Sequence, residues 1–444
     1  MADLHVTREL LRAISRGELP PRLLLNLGLQ HLTALCPTCC REIEAWQHER
    51  GSILYDYTQA FQILPELLSQ QIPRMARERR SAERDLRALL KLPAEEREAR
   101  IKRARNRYRG VALVQSLLDE SRKRFTSEPR EALHLSEVAR TVLQHTPQVP
   151  GYFDYLALAT AYLANATRVS GDRRLASQHF GHARFLISHE GVTDPEILAR
   201  IDDLEGSLRK DQRLFPEAEM LLRRSIMLYR LIGASVEQAR VLVKLADAFD
   251  LQGKTETAIE TVEAALRSLT PEGTLRLYVC ARFNLAWYLT TLREYQEAEQ
   301  LIAADYQHYH RLREPWTQLR LTWLRGRIDA GRGKIEAAER AFLQARDGFV
   351  AEGIGYDAAM ISVEELAPLY LEQRRTAEVK RLAEEMLPIL AAADVHREAL
   401  AALIIFVEAA KEEQLTVSLA RDIGKYLRDA RADPALRFPK EQPS

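Results

Sequence analysis

The sequence predicts an all-α fold, most of it a long array of paired helices. Ala, Leu, Arg and Glu, which are strong helix formers, dominate the composition, and alternating runs typical of strands are absent. In addition, a small residue recurs every 40 positions through the second half of the chain. A fixed period of this length indicates stacked supersecondary units rather than one globular core.

Each copy of the repeat holds two small residues twelve positions apart. Such residues let two antiparallel helices approach closely, one residue on each helix. The four clearest pairs are Gly206 with Ala218, Ala246 with Ala258, Ala286 with Ala298, and Gly326 with Ala338, and weaker copies occur at Ala164 with Ala176 and at Ala367 with Val379. We therefore expect seven antiparallel pairs between residues 151 and 434, followed by a disordered tail at 435–444.

This pattern resembles the tetratricopeptide repeat (TPR), which carries small residues at equivalent places in its helices A and B. The usual TPR period is about 34 residues and that of HEAT repeats is about 40–47. The regular twelve-residue offset favours a TPR array with lengthened helices, an α-solenoid. The resemblance implies binding of a protein or peptide along the A helices.

Residues 1–50 contain a set of potential metal ligands, namely His5, His31, Cys36 and Cys39. Two imidazoles and two thiols complete a tetrahedral zinc site, and a site with four protein ligands is structural, since no position stays open for water. Together with Trp46, the segment resembles the zinc-finger domain of bacterial anti-sigma factors. That resemblance implies a small three-helix head that grips a sigma-like factor.

Two other interpretations of these residues stay open. A metal-free head would use the imidazoles as helix-capping groups and the cysteines as small buried apolar residues. Alternatively, Cys40 could displace a metal ligand and form a disulfide with a neighbouring thiol. Zn²⁺ is the cofactor that the spacing favours.

Residues 51–150 are predicted to form a basic helical connector. Between Arg74 and Arg109 there are 14 Lys or Arg against six Asp or Glu. Such a segment could contact nucleic-acid phosphates, which makes a transcriptional regulator the alternative function. Charge pairs at helical spacing, such as Glu98 with Lys102, instead favour a solvated helix with internal salt bridges. Nucleic acid is therefore not the favoured partner.

The TPR register places several polar and aromatic residues on the A helices, where a partner would bind. These predicted partner-binding residues are Arg240, Lys244, Asn284, Trp287, Arg320, Trp323 and Arg327. Trp and Arg are common at binding hot spots. The same tryptophans could equally pack between helices, and the same charges could form a solvated face.

The whole chain limits the functional classes. Lys and Arg number 64 against 63 Asp and Glu, so the overall charge indicates neither a nucleic-acid binder nor an enzyme for acidic substrates. Four cysteines, no signal peptide and no long apolar run predict a cytoplasmic protein without a membrane segment. No catalytic motif is recognisable, and the expected function is that of a regulatory scaffold and not an enzyme.

Overall fold

The computed structural model describes residues 76–104, 107–125, 128–146, 151–312, 314–392 and 397–432. Every regular element in these ranges is helical. The predicted zinc ligands His5, His31, Cys36 and Cys39 and the predicted tail lie outside them. None of the described helices combines the length and the apolar character needed to cross a membrane.

The helices follow one another with short connections. They are α1 (76–90), α2 (Ala94–Arg103), α3 (Val111–Arg124), α4 (Pro129–Gln144), α5 (Tyr152–Val169), α6 (Arg173–Glu190), α7 (Pro195–Asp211), α8 (Phe215–Leu231), α9 (Ser235–Asp250), α10 (Thr255–Leu266), α11 (Pro271–Thr291), α12 (Tyr295–Ala304), α13 (Tyr306–Leu312), α14 (Pro315–Gly331), α15 (Ile335–Ala351), α16 (Gly355–Ile361), a π turn (Ser362–Leu366), α17 (Ala367–Glu372), α18 (Thr376–Ala392), α19 (Arg397–Lys411) and α20 (Val417–Ala432). Connections this short make neighbouring helices antiparallel.

The predicted repeat coincides with these helices. Each small residue at 206, 246, 286 or 326 lies on the first helix of a pair, and its partner alanine lies on the second. Ala218, Ala258, Ala298 and Ala338 are fully buried. A Cβ added to Gly326 would come within 2.6 Å of the ring of Phe342. The helices α14 and α15 can therefore pack this closely only because residue 326 has no side chain. The described residues from Tyr152 to Ala432 contain seven such pairs, α16–α17 counting as one interrupted helix.

The turns within pairs share one conformation. Gly253, Arg293, Gly333 and Arg374, about 40 residues apart, all have positive φ, from 57° to 76°. The amide after each donates to a carbonyl five residues back, as Glu294 does to Leu289 at 2.9 Å and Lys334 to Asp329 at 2.8 Å. This left-handed termination satisfies carbonyls at the helix end. Glycine adopts it without strain, whereas arginine does not.

The described residues divide into two compact units. Unit 1 comprises the described residues up to Lys244, except Asp211–Arg213. Unit 2 comprises those three residues and the described residues from Leu245 onwards. In unit 1, the pair α3–α4 packs against α5, and Leu117, Leu135 and Ala157 belong to one core. Helix pairing in unit 1 therefore begins upstream of the domain boundary predicted at residue 151.

Candidate functional site

Two tryptophans meet edge to face on neighbouring first helices of unit 2. Trp287 lies on α11 and Trp323 on α14, and their ring centroids are 5.2 Å apart with an interplanar angle of 88°. This geometry places the positive edge of one ring against the negative face of the other. Trp287 is partly buried, whereas Trp323 is only 6 % exposed and belongs to the core.

A single carboxylate oxygen, Oε1 of Glu365, contacts two side chains of α14. The indole N–H of Trp323 donates to Oε1 of Glu365 at 3.0 Å, and Nε of Arg327 lies 3.5 Å from the same oxygen. The guanidinium carbon of Arg327 also lies 4.2 Å from the ring centroid of Trp287. Arg327 is thus held between a carboxylate and an aromatic face, and its orientation is set before any ligand arrives.

Glu365 reaches this position from the π turn at Ser362–Leu366. Pro368 follows three residues later and has no N–H to donate to the carbonyl one helical turn before it. The amide of Ala367 donates five residues back, to Ser362, which is the π pattern. One extra residue in the turn changes which side chains face α14. Single π turns of this kind are frequent at functional sites.

A second arginine is held by aromatic rings on the same two helices. The guanidinium carbon of Arg320 lies 4.6 Å from the ring centroid of Phe283 and 4.8 Å from that of Trp316. Trp316, at the start of α14, is 44 % exposed. Contact with two rings fixes the position of this guanidinium.

We name these residues the aromatic–arginine cluster. Its members are Phe283, Trp287, Trp316, Arg320, Trp323, Arg327 and Glu365. The cluster contains two guanidinium groups, those of Arg320 and Arg327, and one carboxylate, that of Glu365. Its accessible part combines aromatic surface with oriented cationic donors, an arrangement suited to binding a carboxylate that is attached to an apolar group.

The predicted partner-binding residues fall into two groups. Asn284, Trp287, Arg320, Trp323 and Arg327 lie on α11 and α14 of unit 2, and four of them belong to the cluster. Asn284, which is partly buried, is not in the cluster.

The other two predicted residues, Arg240 and Lys244, lie on the part of α9 that belongs to unit 1. Nη2 of Arg240 is 3.4 Å from Glu237, and Nζ of Lys244 donates to Asp203 at 2.6 Å. Burial lowers the pKa of Lys244, and Asp203 partly offsets this effect by favouring the charged form. Lys244 is therefore engaged in an ion pair inside unit 1.

Sequence analysis did not identify Phe283, Trp316 or Glu365 as members of the site. Phe283 precedes Trp287 by four residues and Trp316 precedes Arg320 by four, so helical spacing contained the signal for both. No local pattern indicates Glu365, because it joins the cluster from the following repeat through the π turn.

The basic segment contains several internal ion pairs among its described residues. Arg97 is buried, its Nη1 lies 2.5 Å from Glu131, and its Nε donates to the carbonyls of Leu89 and Leu92. Lys102 pairs with Glu98 at 3.2 Å, as its spacing predicts, and Arg107 with Asp85 at 2.8 Å. These cations therefore already interact with carboxylates and backbone carbonyls of the same chain.

No model of a known protein family matches this chain, and no curated protein matches it. Two solved structures are similar in fold. A Rap protein in complex with competence and sporulation factor has a TM-score of 0.56 at 16 % identity, over 72 % of this chain and 89 % of that one. The apo form of RapI has a TM-score of 0.51 at 13 % identity, over 71 % of this chain and 86 % of that one. At such identities the likeness shows the fold alone, a TPR-like array of helix pairs.

Proposed function

We propose that this protein is a regulatory scaffold that binds a peptide or protein segment at the aromatic–arginine cluster. The observation that carries the proposal is the placement of Arg320 and Arg327, each stacked on aromatic rings of unit 2 and aligned along α14. The partner segment carries a carboxylate, from an acidic side chain or from its C-terminus, next to an apolar side chain.

Three considerations support a binding role. Held arginines and aromatic rings are the residue types that dominate binding energy at protein interfaces. Preorganised donors lose little conformational freedom when a ligand binds. The fold is shared with a Rap protein whose structure contains competence and sporulation factor, so arrays of this kind occur in complexes.

Selection of short random peptides against the full chain tests this proposal. We expect the enriched peptides to share a carboxylate beside an apolar residue, and to lose about thirtyfold in affinity for the Trp287→Ala and Arg320→Gln variants. Arg325→Gln is the matched control, because Arg325 is exposed on the same helix and stacks on Tyr306 instead. Equal affinity for wild-type protein and both cluster variants would exclude the cluster as the binding site.

The proposal also includes the zinc head inferred from the sequence, with Zn²⁺ held by His5, His31, Cys36 and Cys39 and a sigma-like factor as a second partner. The spacing of these residues and the resemblance to anti-sigma factors support it. Peptide binding that survives the cluster variants but disappears in Cys36→Ser would assign partner binding to the head.

A further inference from the structure

An open groove of about 650 Å³ lies in unit 1 between α6 and α8, with α7 contributing to its wall. Its apolar lining comes from Phe185, Ile187, Leu198, Met227 and Leu228. The α6 residues that line it run from Gly181 to His189, which corresponds to about 12 Å along the helix axis. It is separate from the aromatic–arginine cluster, which lies in unit 2.

The side chains at the edge of this groove are unusually exposed for their type. Phe185 is 50 % and Met227 is 60 % accessible, and Phe185 stacks on His189 with ring centroids 3.9 Å apart. Adjacent exposed apolar side chains around a concave surface are typical of interaction sites.

Two arginines at equivalent positions of successive repeats add positive charge to the groove. Nη2 of Arg184 and Nη2 of Arg224 donate to the same oxygen, Oδ1 of Asp202, at 2.6 and 2.7 Å. Arg184 also donates through Nε to Glu205 at 2.6 Å, and Arg224 through Nε to the second oxygen of Asp202 at 2.5 Å. Because both acceptors are buried, the two guanidinium groups are fixed at the wall of the groove.

The ion network leaves N–H donors for a ligand. Arg184, Arg224 and Arg209 pair with three carboxylates, and those of Asp202 and Glu205 are buried. Among the described residues, the Nη1 groups of Arg184 and Arg224 have no hydrogen-bond partner, and the side chain of Arg224 is 48 % accessible. The groove thus presents an apolar surface beside oriented guanidinium N–H donors, whose carboxylate partners Asp202 and Glu205 are buried.

We propose that this groove binds an amphipathic helix of a partner protein, with two apolar anchors one turn apart and an adjacent Asp or Glu. Its length matches two turns of a helix, and its position between two helices fits the helix-in-groove mode of recognition. The accessible guanidinium of Arg224, whose partner Asp202 is buried, favours an acidic helix over a basic one. This second surface does not rest on the function proposed for unit 2.

A fluorescein-labelled helical peptide with Leu at i, i+3, i+4 and i+7 and Glu beside them is the probe. Its fluorescence anisotropy is measured with the full chain, in parallel with a peptide in which Gln replaces every Glu. We expect the Glu peptide to bind at least about tenfold more tightly than the Gln peptide, because only the former supplies acceptors with charge to Arg184 and Arg224.

Gly181→Leu blocks the groove without disturbing the fold. An added Cβ at Gly181 meets no atom within 4 Å, and Leu is a better helix former than Gly. This variant should therefore unfold at a higher temperature than wild type while binding the Glu peptide at least about tenfold more weakly. Gly181→Ala is its control, since Ala also favours the helix but is too small to fill the groove.

Arg224→Gln tests the charge and should weaken binding of the Glu peptide by about three- to tenfold. Its charge-matched control is Arg223→Gln, whose side chain pairs with Glu219 on the exposed side of α8. Undiminished binding by Gly181→Leu, or equal binding of the Glu and Gln peptides, would overturn the proposal. The proposal would also be overturned if the mass from sedimentation showed that the groove joins two copies of the chain. It would be overturned as well if neither peptide bound while dodecanoate bound saturably at Phe185.

Discussion

Arg327 stacks on the ring of Trp287, with 4.2 Å between the guanidinium carbon and the ring centroid. The two residues are 40 positions apart, which is one repeat, so they occupy equivalent places on α11 and α14. The contact therefore depends on the register between repeats and not on either helix alone.

The two other tryptophans of the cluster should have different roles. Trp323 is buried against Phe349 and Trp287, so Trp323→Ala should lower the free energy of unfolding by about 3–5 kcal/mol. Trp316 is 44 % exposed, and Trp316→Ala should cost less than about 1 kcal/mol. Urea unfolding followed by circular dichroism measures both. Similar losses for the two variants would contradict the division into a supporting and an accessible tryptophan.

Arg293 should be a site where glycine stabilises the protein. Its φ of 67° lies in the left-handed region, and the equivalent residues Gly253 and Gly333 are glycines. Arg293→Gly should therefore raise the free energy of unfolding by about 0.5–1 kcal/mol. Arg293→Ala is the control, because it removes the same exposed side chain but keeps the strained backbone. A gain in thermal stability for Ala as large as that for Gly would mean that the side chain, not the backbone, is responsible.

Asp194 should make stability depend on pH. Its Oδ1 accepts from the amides of Glu196 and Ile197 at the start of α7, and burial, with a contribution from Glu196, raises its pKa from 3.8 to about 6. Because the folded-state pKa is raised, the stabilisation is present below pH 4 and is lost as the pH rises through about 6.

Asp194→Asn keeps an oxygen for the same two amides but cannot ionise. The variant should therefore be more stable than wild type at pH 7, by at most about 3 kcal/mol, and should show no such gain below pH 4. Urea titrations at several pH values measure this difference. A constant difference between the two proteins over the whole pH range would rule out titration of Asp194 as its cause.

The head should contain about one Zn²⁺ per chain if His5, His31, Cys36 and Cys39 are its ligands. Metal analysis of protein purified under reducing conditions measures the content, with Cys280→Ser as control because Cys280 lies on α11 of unit 2. Chelation should leave the helical array folded, since metal binding stabilises only the segment that supplies the ligands. Zinc far below stoichiometry, unaffected by Cys36→Ser, would remove the zinc site from the proposal.

Much of the array could be predicted because its determinants are local and periodic. Gly206 and Ala218 stand twelve residues apart, as do Ala286 and Ala298, since each pair marks the closest approach of two helices joined by a short turn. The turn glycines Gly253 and Gly333 are equally local signals. The neighbouring Trp287, Trp323 and Arg327 could be placed on adjacent helices by the same period.

The sequence by itself thus determined the helix pairs and their 40-residue register. Only the tertiary structure decided which of these residues are buried and which are accessible. Trp323 is buried and Lys244 is partly buried because Glu365 and Asp203, in other helical elements, accept from their N–H groups. Those partners come from neighbouring repeats, and for Glu365 from a π turn, so packing between repeats determines them and no local pattern reports them.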